Sequence, residues 1–155
     1  MIDLSRYSFG ATAAISTSLA LIAGFNAFSG TKLGLIGALL VIGIADNISD
    51  SLGIHIYQES KCEVGKKDSA AYTLTNFLAR LVITLIFIAI VYFAPIGYAA
   101  PVTILFGLAL LSVLSYIIAL NQKTSPLLSI LHHIGISVLV IVVSYFLGKI
   151  IKAAF

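Results

Sequence analysis

The sequence predicts an all-α integral membrane protein, a bundle of five transmembrane helices. Three observations carry that prediction. The chain of 155 residues is 60% hydrophobic and only 10% charged, with a mean hydropathy of +1.11, whereas soluble domains carry roughly 25% charged residues. The apolar residues form long unbroken runs, each of the roughly 20 residues that a helix needs to cross a bilayer. The runs do not alternate in ten-residue segments, which excludes an outer-membrane barrel.

The first predicted span is about residues 8–28. It follows a single basic residue, Arg6, and is too long for a signal-peptide core, so it reads as a retained helix that ends at Ser29-Gly30. The second covers about 32–56. A polar connection, 57–69, holds Glu59, Lys61, Glu63, Lys66, Lys67 and Asp68. The third, about 70–93, is stopped by Pro95 and Gly97, and the fourth covers about 101–120. After a short turn, Ser125-Pro126 opens the fifth span, 126–151, with a capping serine and a proline in the first turn. The whole chain is expected to form one domain.

Five spans put the termini on opposite sides. Arg6, Lys61, Lys66, Lys67 and Lys123 fall on the side of the N-terminus, and Lys32, Lys149 and Lys152 on the other. The bias of basic residues favours a cytoplasmic N-terminus. The net charge of +3 reflects these loop lysines and does not indicate nucleic-acid binding. Cys62 is the only cysteine and cannot form an intramolecular disulfide. It is expected to be a plain loop cysteine, although Glu63 and His55 lie near it in sequence.

The second span carries the strongest functional signal. Asp46, Asn47 and Asp50 stand inside an otherwise apolar run, and two of the six acidic residues of the chain are among them. An ionisable group at that depth is costly unless it is paired or faces a cavity. Gly43, Asp46, Asp50 and Gly53 recur at helical spacing, so the carboxylates share a stripe flanked by glycines that would admit another helix. Counted at 1.5 Å per residue from the cytoplasmic ends of their spans, Asp46 and Arg80 both lie about 15 Å deep. An Asp46–Arg80 ion pair tying the second span to the third is the simplest reading, with Asp50 one turn nearer the headgroups. Two acids exceed what one arginine needs, and paired carboxylates suit a divalent cation or a proton relay. Arg80 then supplies charge compensation.

Thr12, Ser16, Asn76, Ser115, His132 and His133 fall in the same half of the membrane, so the polar residues form a layer that opens towards the cytoplasm. Adjacent residues on a helix point about 100° apart, so one histidine is expected to face the bundle and the other the interface. The glycines of the first two spans, Gly10, Gly24, Gly34, Gly37 and Gly43, read as sites of close helix packing. Tyr92, Phe93 and Tyr98 read as an aromatic belt at the interface. There is no GxSxG, Walker loop or HExxH, and the chain is not expected to be an enzyme.

Several of these stretches carry a resemblance. GATAAISTSLALIAG (10–24), the glycine- and alanine-rich second span with its late acid (35–59), Asn76–Leu81, and the PLLSILHHIGISVLVIVVSYFLGKII ending (126–151) resemble the helices of the vacuolar iron transporter family. That resemblance implies a dimer of five-helix protomers that exports Fe²⁺ or Mn²⁺ from the cytosol in exchange for protons. The metal would be cargo, with no permanently bound cofactor. It implies a pathway between the first and second helices of the two protomers, with Asp46 and Asp50 as metal ligands or proton acceptors and Asn47 as a further oxygen ligand on the ion pathway. Thr12, Ser16, Asn76, His132 and His133 would be secondary pathway residues. The bilayer, the metal ion and a second copy are the implied partners, and the plasma (inner) membrane of a prokaryote the implied location.

The chain departs from the family pattern in two places. Ala13 stands where the family has its first-helix Asp, and the family's long cytoplasmic metal-binding segment is reduced to 57–69. Asp50 aligns with the family's second-helix acid and Asp46 with its methionine, so a hard carboxylate would replace a soft thioether. Two other classes are therefore carried forward: a non-transporting scaffold or partner subunit, and a transporter of protons or another small cation gated by Asp46 and Arg80.

Overall fold

The computed structural model describes residues 5–60, 66–95 and 97–155. Those residues form five helices and no strand: α1 (Ser5–Ala27), α2 (Lys32–Ser60), α3 (Lys66–Phe93), α4 (Ala99–Gln122) and α5 (Pro126–Ala154). Each contains a segment long and apolar enough to cross a membrane. The all-α five-helix bundle expected from the sequence is the observed fold.

Six of the ten helix ends fall two to four residues outside the apolar spans, because hydropathy marks the membrane-embedded part and not the hydrogen-bond ladder. α2 runs on to Ser60 and α3 begins at Lys66, so much of the polar stretch expected as a loop is helical. Ser60 Oγ donates to the Tyr57 carbonyl (2.7 Å) in that last turn. Lys61, Cys62 and Glu63 lie outside the described residues. α4 starts at Ala99, which places Pro101 in its first turn, where a missing N–H costs nothing.

Two of the turns close in the same way. After α1, Gly30 N bonds back to Phe25 O (2.9 Å), with Ser29 left-handed at φ 63°. After α4, Thr124 N bonds to Ala119 O (3.0 Å), with Lys123 at φ 55°. Both are Schellman-type ends, although neither has the usual glycine at the left-handed position. Ser125 precedes α5 in an extended conformation, with Pro126 in the first turn. Its side chain makes no capping bond, but its carbonyl accepts from Ser129 N (3.1 Å).

The helix ends define two ends of the bundle. At the far end, Lys32 Nζ donates to the carbonyls of Tyr92 (2.6 Å) and Ala94 (2.8 Å), capping the C-terminus of α3 with a cation. Lys152 Nζ donates to Ser29 Oγ there (2.7 Å), joining the end of α5 to the α1–α2 turn. The near end carries the start of α1, the end of α2, the start of α3 and the α4–α5 turn.

α1 is the central helix and packs against all four others. Ile15, Leu19 and Ile22 form a fully buried row that meets Phe87, Val91 and Leu111. Contact between α1 and α5 is close because Gly148 lies against the Gly24 carbonyl, where any side chain would collide. By contrast, α2 lies at the edge and packs mainly on α3. Its outer surface exposes Val41, Ile44, Ile48, Leu52 and Ile56, and α5 exposes a similar apolar face. Such faces fit a hydrocarbon environment. Gly37, expected at a packing contact, has no neighbour within 4 Å of its would-be Cβ.

Candidate functional site: a buried arginine between two aspartates

Residues four apart share a helix face, so α2 presents two parallel rows. One holds Asp46 and Asp50. The other, 100° round, holds Gly43, Asn47 and Ser51, all of them buried. The facing surface of α3 carries Asn76, Arg80 and Thr84 at the same spacing, also buried. The helices approach closely at Gly43, where an added Cβ would stand 2.5 Å from Thr84 Cγ2.

Arg80 occupies the centre and is only 3% exposed. Its Nη1 donates to Asp50 Oδ2 in a short contact, and its Nη2 donates to Asp46 Oδ2 (3.2 Å). One guanidinium thus bridges two carboxylates one turn apart. Its planar fork suits that geometry in a way a lysine ammonium does not. With both acids ionised the trio carries one net negative charge. Arg80 pairs with Asp50 as well as Asp46, so Asp50 is not the isolated, wetter acid that depth alone implied.

The carboxylates face outward. The side chains of Asp46 and Asp50 are 44% and 35% exposed, on a helix that packs on α3 and only lightly on α1. The stripe with its flanking glycines is therefore not a continuous groove. Gly43 is filled by Thr84, while Gly53 has nothing within 4 Å.

Behind Arg80 the seam between α1, α2 and α3 is polar. Asn47 Nδ2 donates to the Phe77 carbonyl (2.9 Å). Asn47 Oδ1, Ser51 Oγ and both amide atoms of Asn76 are buried with no hydrogen-bond partner among the described residues. Asn76 presses on α1 at Gly10, whose would-be Cβ lies 2.6 Å from Asn76 Oδ1. A hole of about 10 Å³ lies beyond, lined by Ala14, Thr17, Ser18, Gly43, Arg80 and Thr84 among others. From α1 it is Thr17 and Ser18 that reach this neighbourhood, while Thr12 and Ser16 do not line the hole. Sequence reasoning did not single out Ser18, Ser51 or Thr84. Their spacing of one turn from Ala14, Asn47 and Arg80 was the available signal. Hydroxyls that can satisfy themselves on their own helix make it a weak one.

The histidines lie elsewhere. His133 Nδ1 is 2.8 Å from Ser115 Oγ, which also donates to the Leu111 carbonyl (2.7 Å). The two bonds are compatible when Nδ1 carries the proton. His132 is exposed, but the two rings stack, with centroids 5.9 Å apart and planes 19° apart. The backbone directions diverge as expected, yet the side-chain torsions bring the rings together. His55 pairs with Glu59 (3.4 Å) on the last turns of α2. Among the described residues no three His, Cys, Asp or Glu side chains gather into a group able to hold a metal.

Fold and site together define the class: an integral membrane protein of five spanning helices with an arginine–aspartate cluster inside its spans. No protein-family model matches the chain, and comparisons with curated proteins and with solved structures find no match.

Proposed function

We propose that the protein is a membrane transporter of a small cation, working as a homodimer. Within that class we favour proton-coupled export of Fe²⁺ or Mn²⁺ from the cytosol. The observation that carries this reading is the exposure of Asp46 and Asp50 well inside a span. Lipid does not solvate carboxylates, so a partner or an aqueous cavity must cover that edge of α2. A second copy fits, because Ala45, Ser49 and Gly53 leave a row of small residues on the exposed side of α2. Two protomers would bring four carboxylates together, which answers the lack of a three-ligand group within one. The resemblance of the helices to vacuolar iron transporters supports the same reading, with Asp46 and Asp50 standing in for the acid replaced by Ala13. The plasma membrane of a prokaryote, with the near end of the bundle in the cytoplasm, is the setting we propose.

Arg80 favours a second reading. A fixed cation touching both carboxylates repels a divalent ion and suits a site that handles protons or a monovalent cation. For a metal to bind, the acids must leave Arg80 or use their outer oxygens.

Uptake of Fe²⁺ and Mn²⁺ into proteoliposomes, with internal pH recorded, separates these readings. Metal flux with opposing proton movement is expected, and Asp46→Asn or Asp50→Asn should abolish it while the dimer persists. Proton flux without metal supports the second reading. No flux from a folded dimer leaves a scaffold or partner subunit. Wild-type rates in both variants remove the mechanism.

A further inference from the structure

We infer that the seam between α1, α2 and α3 holds a buried cluster of ordered water, bonded by Asn47, Ser51 and Asn76, that reaches Arg80 from inside the protomer. This inference is independent of which cation, if any, the protein carries. Four buried polar atoms, Asn47 Oδ1, Ser51 Oγ, Asn76 Nδ2 and Asn76 Oδ1, have no partner among the described residues. Asn47 is 0% and Asn76 1% exposed, so bulk solvent does not satisfy them. Folded proteins leave few such atoms unpaired, and buried water is the usual partner.

The atoms sit on adjoining turns of α2 and α3. Asn47 and Ser51 are one turn apart on α2, and Asn47 is tied to the carbonyl of Phe77, the residue after Asn76. Asn76 and Arg80 are one turn apart on α3. The inventory suits water: Asn47 Oδ1 and Asn76 Oδ1 accept, Asn76 Nδ2 donates, and Ser51 Oγ does either. A bare cation would leave the Asn76 amide hydrogens pointing at a like charge. Past Arg80, a separate hole of about 10 Å³ beside Ser18 and Thr84, which Asn47, Ser51 and Asn76 do not line, is of the size that holds one water. Beyond it the seam closes on Leu21 and Leu39, two side chains that line the hole, and the fully buried Ile22 and Phe87 lie in the same core. Arg80 thus has carboxylates on its outer side and water on its inner side. That arrangement lets the guanidinium exchange partners without entering a dry core.

The test is an experimental structure of the detergent-solubilised protein that shows ordered water, with thermal unfolding of Ser51→Ala and Asn76→Leu alongside. Expected is water density within about 3.2 Å of Asn47 Oδ1, Ser51 Oγ and the Asn76 amide. Each variant should also lower Tm by about 2–4 °C, as loss of bridged hydrogen bonds does in a chain of this size. Amides bonded to each other or to backbone, with no density between them, overturn the inference. So does a variant that unfolds at or above the parent temperature, because removing unpaired polar groups from a dry seam is neutral or stabilising. Should Asn76→Leu fail to fold, Ser51→Ala alone decides, since it deletes one oxygen and adds no bulk.

Discussion

Two polar constellations sit in the near half of this bundle, and they are built on opposite plans. Around Ser115 and His133 the hydrogen bonding closes on itself. The serine hydroxyl donates to the Leu111 carbonyl and also meets His133 Nδ1, so one side chain joins the backbone of α4 to α5. Around Arg80 the bonding is only partly closed. The guanidinium is buried while its two carboxylates are half exposed, and the amides behind it have open valences. A closed polar contact fastens two helices, here α4 and α5. An open one requires something further, whether a partner, water or an ion, and such open sites are where function concentrates in a membrane protein.

The contrast can be broken most forcefully at Arg80. Arg80→Ala leaves two carboxylates one turn apart with no cation; truncating one side of a fully buried pair costs about 3–5 kcal/mol, and the partial exposure of Asp46 and Asp50 puts the loss here at the lower end of that range. We expect the variant to be poorly folded when unfolding is followed in detergent. Arg80→Lys should recover only part of the loss, because an ammonium cannot span both acids with a rigid fork. Full stability in Arg80→Ala would show that the carboxylates are solvated from outside and that the arginine does not hold α2 to α3.

A second test concerns the approach of the two helices. Gly43→Ala places a methyl group against Thr84, and overpacking of this kind costs about 1–3 kcal/mol. The double variant Gly43→Ala/Thr84→Ser, which removes the opposing methyl, should regain most of that loss. If it does not, the glycine is needed for another reason than room for Thr84.

The sequence made part of this legible. Apolar run length alone defined five helices, because a bilayer leaves few alternatives for such segments. Depth matching brought Asp46 to Arg80. It could not show that Arg80 also takes Asp50, since which acid a long flexible side chain reaches depends on helix rotation as well as depth. Rotation likewise decided that Asn47 faces α3, and that Thr17 and Ser18 line the hole by Arg80 while Thr12 and Ser16 do not. An almost wholly apolar helix gives the sequence little to fix its rotation. Ser18, Ser51 and Thr84 were missed for the same reason. Hydroxyls are common in spanning helices, and only a neighbour distinguishes a buried one from one bonded to its own backbone.

The smallest expected effect lies at the closed constellation. Ser115→Ala removes one hydrogen bond to His133 and one to Leu111, and a neutral bond contributes about 1 kcal/mol net. The imidazole it leaves behind is near the start of α5 and next to the exposed His132, so His133 Nδ1 can find water by a modest rotation and the loss should stay near that figure. Transport, measured in the same proteoliposomes used for the aspartate variants, should be unchanged. The comparison turns on this result. A loss of flux in Ser115→Ala with stability intact would place the α4–α5 contact on the pathway, and this local hydrogen-bonded contact would then be as functional as the open one at Arg80.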